Sequence, residues 1–127
     1  MIETTLQTIL NATQTLTELM KKSMKASTAY KIARLAREVQ READLFDETR
    51  RKLILKYGNR DEKDELVTDE NGNVTVAKEK MQDFVKEYEE IMNQKVSLNA
   101  ELIDLKELED EKLSPNEINS LMDFLQA

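Results

Sequence analysis

Residues 29–57 read AYKIARLAREVQREADLFDETRRKLILKY, the longest continuous helical pattern in the chain. Alternating steps of three and four pick out Ala29, Ile32, Ala36, Val39, Ala43, Phe46, Arg50, Leu53 and Tyr57, a stripe that stays on one side of an α-helix. The stripe fits a heptad seam. Alanine returns at every seventh position, Ala29, Ala36 and Ala43, where a small side chain lets another helix approach closely. A spine helix over 28–58 is predicted, packed against a second helix from this chain or from another copy.

Upstream, Ile2, Leu6, Ile9, Thr13, Leu16 and Met20 repeat at four and three, and the spacing predicts an N-terminal helix over 1–24. Its weak point is threonine, because β-branched side chains lose rotamer freedom in a helix. The pattern loses phase over 23–28, where Ser27 or Thr28 is placed to cap the spine. Downstream, Gly58 and Asn59 offer the left-handed conformation that closes a helix. Leu66-Val67-Thr68 and Val74-Thr75-Val76 then flank Asn71-Gly72, the signal for a tight primed turn, so a β-hairpin is expected over 66–76. Two strands alone are marginal in water. The helical period returns at Met81, Phe84, Tyr88, Ile91 and Lys95, with Val85 and Met92 broadening the stripe, which predicts a third helix over 77–95 running antiparallel to the spine. Residues 96–127 hold an extended piece, Val96-Ser97-Leu98, able to add a strand to the hairpin, and a last helix opened by Ser114, Pro115 and Glu117 as cap, first residue and capping box. Ile118, Leu121, Met122 and Leu125 form its expected buried face, with Phe124 beside them. The fold class is α+β, mainly α: a long antiparallel helical hairpin joined by a small β-hairpin, with an N-terminal helix and a short C-terminal helix, in one domain over 1–127.

Composition limits what such a fold can do. A chain of 127 residues buries about two-thirds of its unfolded surface. With 39% apolar, 5% aromatic and 35% charged residues, its core is expected to be narrow and aliphatic. Cysteine is absent, which fits a reducing compartment. Residues 1–10 lack the basic start and apolar run of a signal peptide, and no apolar run approaches a membrane span; a cytoplasmic protein with no membrane partner is expected. Residues 21–60 carry twelve Lys or Arg against five Asp or Glu, while residues 61–127 carry seven against nineteen. Folding the two parts together, or pairing copies, neutralises that dipole. The net charge of −7 argues against a nucleic-acid binder.

Histidine is also missing, which removes the commonest general base and, with cysteine, the soft metal ligands. No enzyme activity, metal or cofactor is expected. Asp69, Asn71 and Asn73 superficially suggest a calcium loop, but Gly72 stands fourth rather than sixth and Lys80 occupies the twelfth position, where a bidentate Glu belongs. Binding has three candidate sites. Arg34, Arg37 and Arg41 share a face of the spine with Tyr30 one turn earlier, a set that can hold phosphates and stack a base, or can simply be a solvated face paired with Glu38, Glu42 or the acidic third helix. Arg50, alone in the heptad seam, is a helix-interface charge in need of a partner. Glu79, Asp83, Glu87 and Glu90 line one side of the third helix as a partner-docking face.

The chain resembles a family of short, uncharacterised helical proteins of tailed phages that infect Gram-positive bacteria. The resemblance runs through the Ala-rich helix ending Leu53-Ile54-Leu55-Lys56-Tyr57-Gly58, the turn at 69–73, the helix with Phe84 and Tyr88, Val96-Ser97-Leu98, and the closing helix from Leu113-Ser114-Pro115. It implies a phage or prophage origin and transfers no residue role. The expected function is a non-enzymatic protein that engages a host protein, such as a defence or regulatory factor, as a homodimer or higher homo-oligomer. The alternatives are sequestration of a small phosphorylated nucleotide signal on the arginine face, and a virion-assembly or chaperone role.

Overall fold

The computed structural model describes residues 1–127. Helix accounts for 59% of the chain and strand for 14%, so the class is α+β, mainly α. No helix is long and apolar enough to cross a membrane. The elements are β1 (Ile2–Thr5), α1 (Leu6–Met20), α2 (Ala26–Tyr57), α3 (Lys78–Met92), β2 (Lys95–Leu98), β3 (Ile103–Asp104), α4 (Pro115–Ser120) and β4 (Leu125–Gln126). They pack as two compact units, Met1–Asp44 with Asn93–Ala127, and Leu45–Met92. Helix α2 contributes its first part to one and its last part to the other.

The first unit opens on a strand where the helical spacing predicts helix. Ile2 and Thr4 are buried and Glu3 between them is exposed, an alternation with period two that β-branched residues favour. β1 pairs antiparallel with β2, from Ile2 opposite Leu98 to Thr5 opposite Lys95. Val96-Ser97-Leu98 is therefore extended as expected, but its partner is β1 and not the segment at 66–76. Helix α1 begins only at Leu6, after Thr5 turns the chain: the Thr5 hydroxyl accepts the N–H of Thr8 at 3.3 Å, satisfying one of the free donors of the first turn.

Leu6, Ile9, Leu16 and Leu19 form the inner side of α1, and Ile32, Leu35 and Val39 that of α2, all buried. Leu35 lies outside the heptad stripe yet has no exposed surface. The seam is wider than two positions in seven because α2 is met here by more than a single helix: Leu98, Ala100, Ile103, Leu108, Leu121 and Phe124 share the same core. Thr15, also buried, bonds the Ser120 hydroxyl at 2.8 Å. Ser120 already donates its proton to the Glu117 carbonyl at 2.7 Å, so Thr15 is the donor and no polar group is stranded.

Helix α4 starts as its sequence directs. The Ser114 hydroxyl accepts the Glu117 N–H, and the Glu117 carboxylate accepts the Ser114 N–H, both at 3.1 Å. Its end differs from expectation. After Ser120 the chain tightens into a 3-10 turn at Met122–Phe124, and at three residues per turn Phe124 comes over Leu121. Those two are buried while Met122 is 57% exposed, so Met122 is not part of the buried face. β4 follows and runs parallel to β3, Ile103 opposite Leu125. A second capping box, Asp104 with Glu107, opens the 3-10 turn at Leu105–Leu108.

In the second unit the last part of α2 and α3 meet through aromatic rings. Phe46 and Tyr57 on α2 stand edge-on to Tyr88 and Phe84 on α3, each with centroids 6.0 Å apart. The pairings descend on α3 as they ascend on α2, the order of antiparallel helices. Between the helices lie isolated antiparallel bridges, Gly58 with Val76, Arg60 with Leu66 and Thr68 with Val74, rather than two continuous strands. Two loops of the same build connect them. In each, one carboxylate oxygen accepts two backbone N–H groups, Asp61 from Lys63 and Glu65, and Asp69 from Asn71 and Asn73. In each, the fourth residue takes positive φ, 62° at Asp64 and 80° at Gly72. The Asn71-Gly72 pair is thus the end of an aspartate-capped loop and not the centre of a primed turn, which would need positive φ at Asn71 as well. Gly58 does not take the left-handed conformation either. Its requirement is space, because a Cβ there would stand 2.7 Å from the Ile54 carbonyl oxygen.

Candidate functional site

The arginine face is largely committed within the chain. Arg34 donates through Nε to the Asn99 carbonyl at 3.1 Å and through Nη2 to the Asn99 side chain at 3.3 Å. Arg41 pairs with Glu38 at 2.8 Å and stands 3.9 Å from Glu42. Arg37 makes no ion pair, and Tyr30 is 68% exposed. The hollow among Tyr30, Arg34, Arg37 and Arg41 is walled by one helix alone, so nothing stands opposite to sandwich a base. Behind it, the cleft between α1 and α2 opens a groove of about 730 Å³ with Leu16 and Val39 in its floor.

Arg50 is not a buried seam charge. Its side chain is 46% exposed and reaches Asp47, one turn back, at 4.0 Å. Phe46 and Leu53, about one turn to either side on the same helix, are buried.

Helix α3 carries the acidic set in two states. Glu87 is engaged: its Oε1 accepts Lys56 Nζ at 2.9 Å, and the same ammonium lies 5.1 Å from the Tyr57 ring centroid. Its other oxygen is shielded from water. The Lys56 hydrogen bond holds the Glu87 carboxyl below its ordinary value of 4.5, and the Glu87 carboxylate raises Lys56 above 10.5. Glu79, Asp83 and Glu90 are exposed and make no ion pair. No residue of α3 is buried. Phe84 and Tyr88 face α2, and beside them Met81 and Val85 are each 42% exposed, one helical turn apart, with Met92 continuing the stripe. Met81, Val85 and Met92 flank Phe84 and Tyr88 on one side, and Glu79, Asp83 and Glu90 on the other.

The linkage between Glu87 and Lys56 has a definite sign. A carboxyl lowered by folding contributes stability above its unfolded value, and that contribution is lost as pH falls through the lower folded value. Lys56, raised by folding, contributes below 10.5 and loses its part as pH climbs through the higher folded value. Thermal melts followed by tyrosine circular dichroism are expected to show the Leu45–Met92 unit slightly less stable below the ordinary carboxylate range, by the small amount an exposed ion pair contributes. Glu87→Gln is expected to flatten that acid limb.

Of the residues singled out from sequence, the arginines share a face as expected, the four carboxylates share α3, and Arg50 stands apart in the solvent. Sequence reasoning placed Met81 in the helical stripe with Val85 and Met92 broadening it, and the structure leaves Met81 and Val85 exposed. Their signal was present in the heptad, since Phe84, Tyr88 and Ile91 already fill one narrow face and leave Met81, Val85 and Met92 on its flank. No three side chains of His, Cys, Asp or Glu converge to hold a metal ion. No family model, no curated protein and no solved structure matches the chain.

Proposed function

We propose that this is a phage-encoded, non-enzymatic binding protein that acts in the cytoplasm of an infected cell by docking α3 onto a host protein, a defence or regulatory factor. The observation that carries the reading is an amphipathic helix of fifteen residues with none of them buried. A helix of that length is marginal without packing, and an apolar stripe left at helical spacing suits the groove or helix of another protein. Met81 and Met92 supply adaptable side chains for such a surface. Glu79, Asp83 and Glu90, free of intramolecular partners, would steer the encounter with a basic surface. Glu87 belongs to the internal support of α3, so it is not a docking residue in this reading. The arginine face supports a phosphorylated ligand less well, with Arg34 and Arg41 already held by Asn99 and Glu38.

The test is paired affinity capture from a Gram-positive host lysate with the natural chain and with Met81→Glu/Val85→Glu. Both positions are exposed, so the double variant is expected to fold. A host protein retained by the natural chain and reduced at least tenfold, about 1.4 kcal/mol, in the variant is the expected result. Equal retention by both would remove α3 from the interaction. A natural chain that sediments as a dimer, with the variant a monomer, would assign the stripe to a second copy instead.

A further inference from the structure

The groove between α1 and α2, about 730 Å³, lies within the size range of small-molecule sites. Its floor is the packed core at Leu16 and Val39, each 1% exposed. Its walls carry few free donors. The Thr13 hydroxyl donates to the Ile9 carbonyl at 3.2 Å, and Thr17 to the Thr13 carbonyl at 2.9 Å, so both protons are spent inside α1. Ala33 and Ala36 leave the opposite wall low, and the exposed thioether of Met20 closes one end as a side chain able to adapt its shape.

The polar groups of the rim are accounted for in the same way. Gln40 donates to the Asp44 carboxylate at 2.9 Å, and Arg41 is held by Glu38 at 2.8 Å. Arg37 is the remaining group, an exposed guanidinium with five donors that lines the groove and makes no hydrogen bond or ion pair in the chain. Several features argue against other occupants. A nucleobase would find no aromatic face in the groove, and an acidic helix with several carboxylates would meet one free cation and the charge of Asp44. A ligand with one anionic head and one aliphatic body matches what is offered.

We propose that the groove between α1 and α2 binds an aliphatic monoanion, its chain lying along Met20, Ala33 and Ala36 and its carboxylate or equivalent head on the Arg37 guanidinium. The site is separate from α3, and its failure leaves the docking reading standing.

Decanoate is the probe, with decylammonium as the charge-reversed control. Binding is followed by thermal shift and by the methyl resonance of Met20 in carbon-13 spectra. Decanoate is expected to raise the melting temperature and move the Met20 signal, while decylammonium does neither. Arg37→Gln, at an exposed position, is expected to weaken decanoate at least tenfold, the scale of one lost charge-assisted hydrogen bond. Ala36→Leu keeps every charge and fills the groove; with its folding verified, it is expected to abolish the Met20 response. No response of the natural chain to decanoate, equal responses to decanoate and decylammonium, or undiminished binding by Arg37→Gln would each overturn the proposal.

Discussion

Phe124→Ala is expected to lower the unfolding free energy by about 3–5 kcal/mol, the scale for an aromatic ring removed from a closed core. The ring has no exposed surface and sits in one cluster with Ile2, Ile9, Leu16, Leu35, Leu98 and Leu121. Those side chains come from strands and helices anchored by their own hydrogen bonds, β1 on β2 and α4 on its capping box, so they cannot collapse into the vacated space. The residue also fixes the chain end of the fold: β4, which pairs with β3, begins immediately after it. Urea unfolding read by circular dichroism checks the value. A lower midpoint with an unchanged slope is the signature of lost stability in an otherwise intact fold. A loss under about 1 kcal/mol would mean that the ring is not enclosed.

Gly58→Ala is expected to cost about 1–3 kcal/mol, the range for an added carbon forced into a filled site, and to cost it in the Leu45–Met92 unit. The new Cβ would stand 2.7 Å from the Ile54 carbonyl oxygen, 2.8 Å from Leu66 Cδ2 and 2.8 Å from Val74 Cγ1. The two side chains can turn away. The carbonyl cannot, because it accepts the N–H of Gly58 itself at 2.7 Å and closes the last turn of α2. Relief therefore comes from moving the backbone that carries the bridge between Gly58 and Val76, and with it the chain leading into α3. Amide hydrogen exchange locates the effect: faster exchange around 58–76 and in α3 is expected, with β1 and β2 unchanged. Equal loss of protection in both units would contradict it.

How much of this was legible in the sequence depends on the range of the interaction. Local rules held for α2 and the α4 cap but not everywhere: Gly58 is not left-handed, Asn71-Gly72 is not a primed turn, and Ser27 and Thr28 lie inside α2 rather than capping it. Helix α2 occupies nearly the span that its period predicts, and Ser114, Pro115 and Glu117 open α4 because a capping box is settled within four residues. Errors arose where local patterns compete. Ile2, placed four residues before Leu6, fits a helix stripe, yet Ile2 and Thr4 also fit a strand, and pairing with β2, more than ninety residues away, decides between them. Asp104 and Glu107 have the same spacing as Ser114 and Glu117 and were readable as a second capping box. The repeated loops at Asp61 and Asp69 were readable too, since each places Asp three residues before a position that needs positive φ.

The candidate sites show the same division. That Arg34, Arg37 and Arg41 share a face follows from helical spacing alone. That Asn99 holds Arg34, and that Lys56 holds Glu87, follows only from tertiary pairing. Arg50 misled for a related reason: heptad position implies burial only where another element covers it, and the Arg50 side chain is 46% exposed.

The proposed docking role of α3 is tested most directly by hydrogen exchange on the chain with and without a host protein captured by it. Slower exchange across 78–92 on binding, with β1 and β2 unaffected, is the predicted footprint. Protection confined to α1 or the first half of α2, with α3 exchanging as in the free chain, would contradict it.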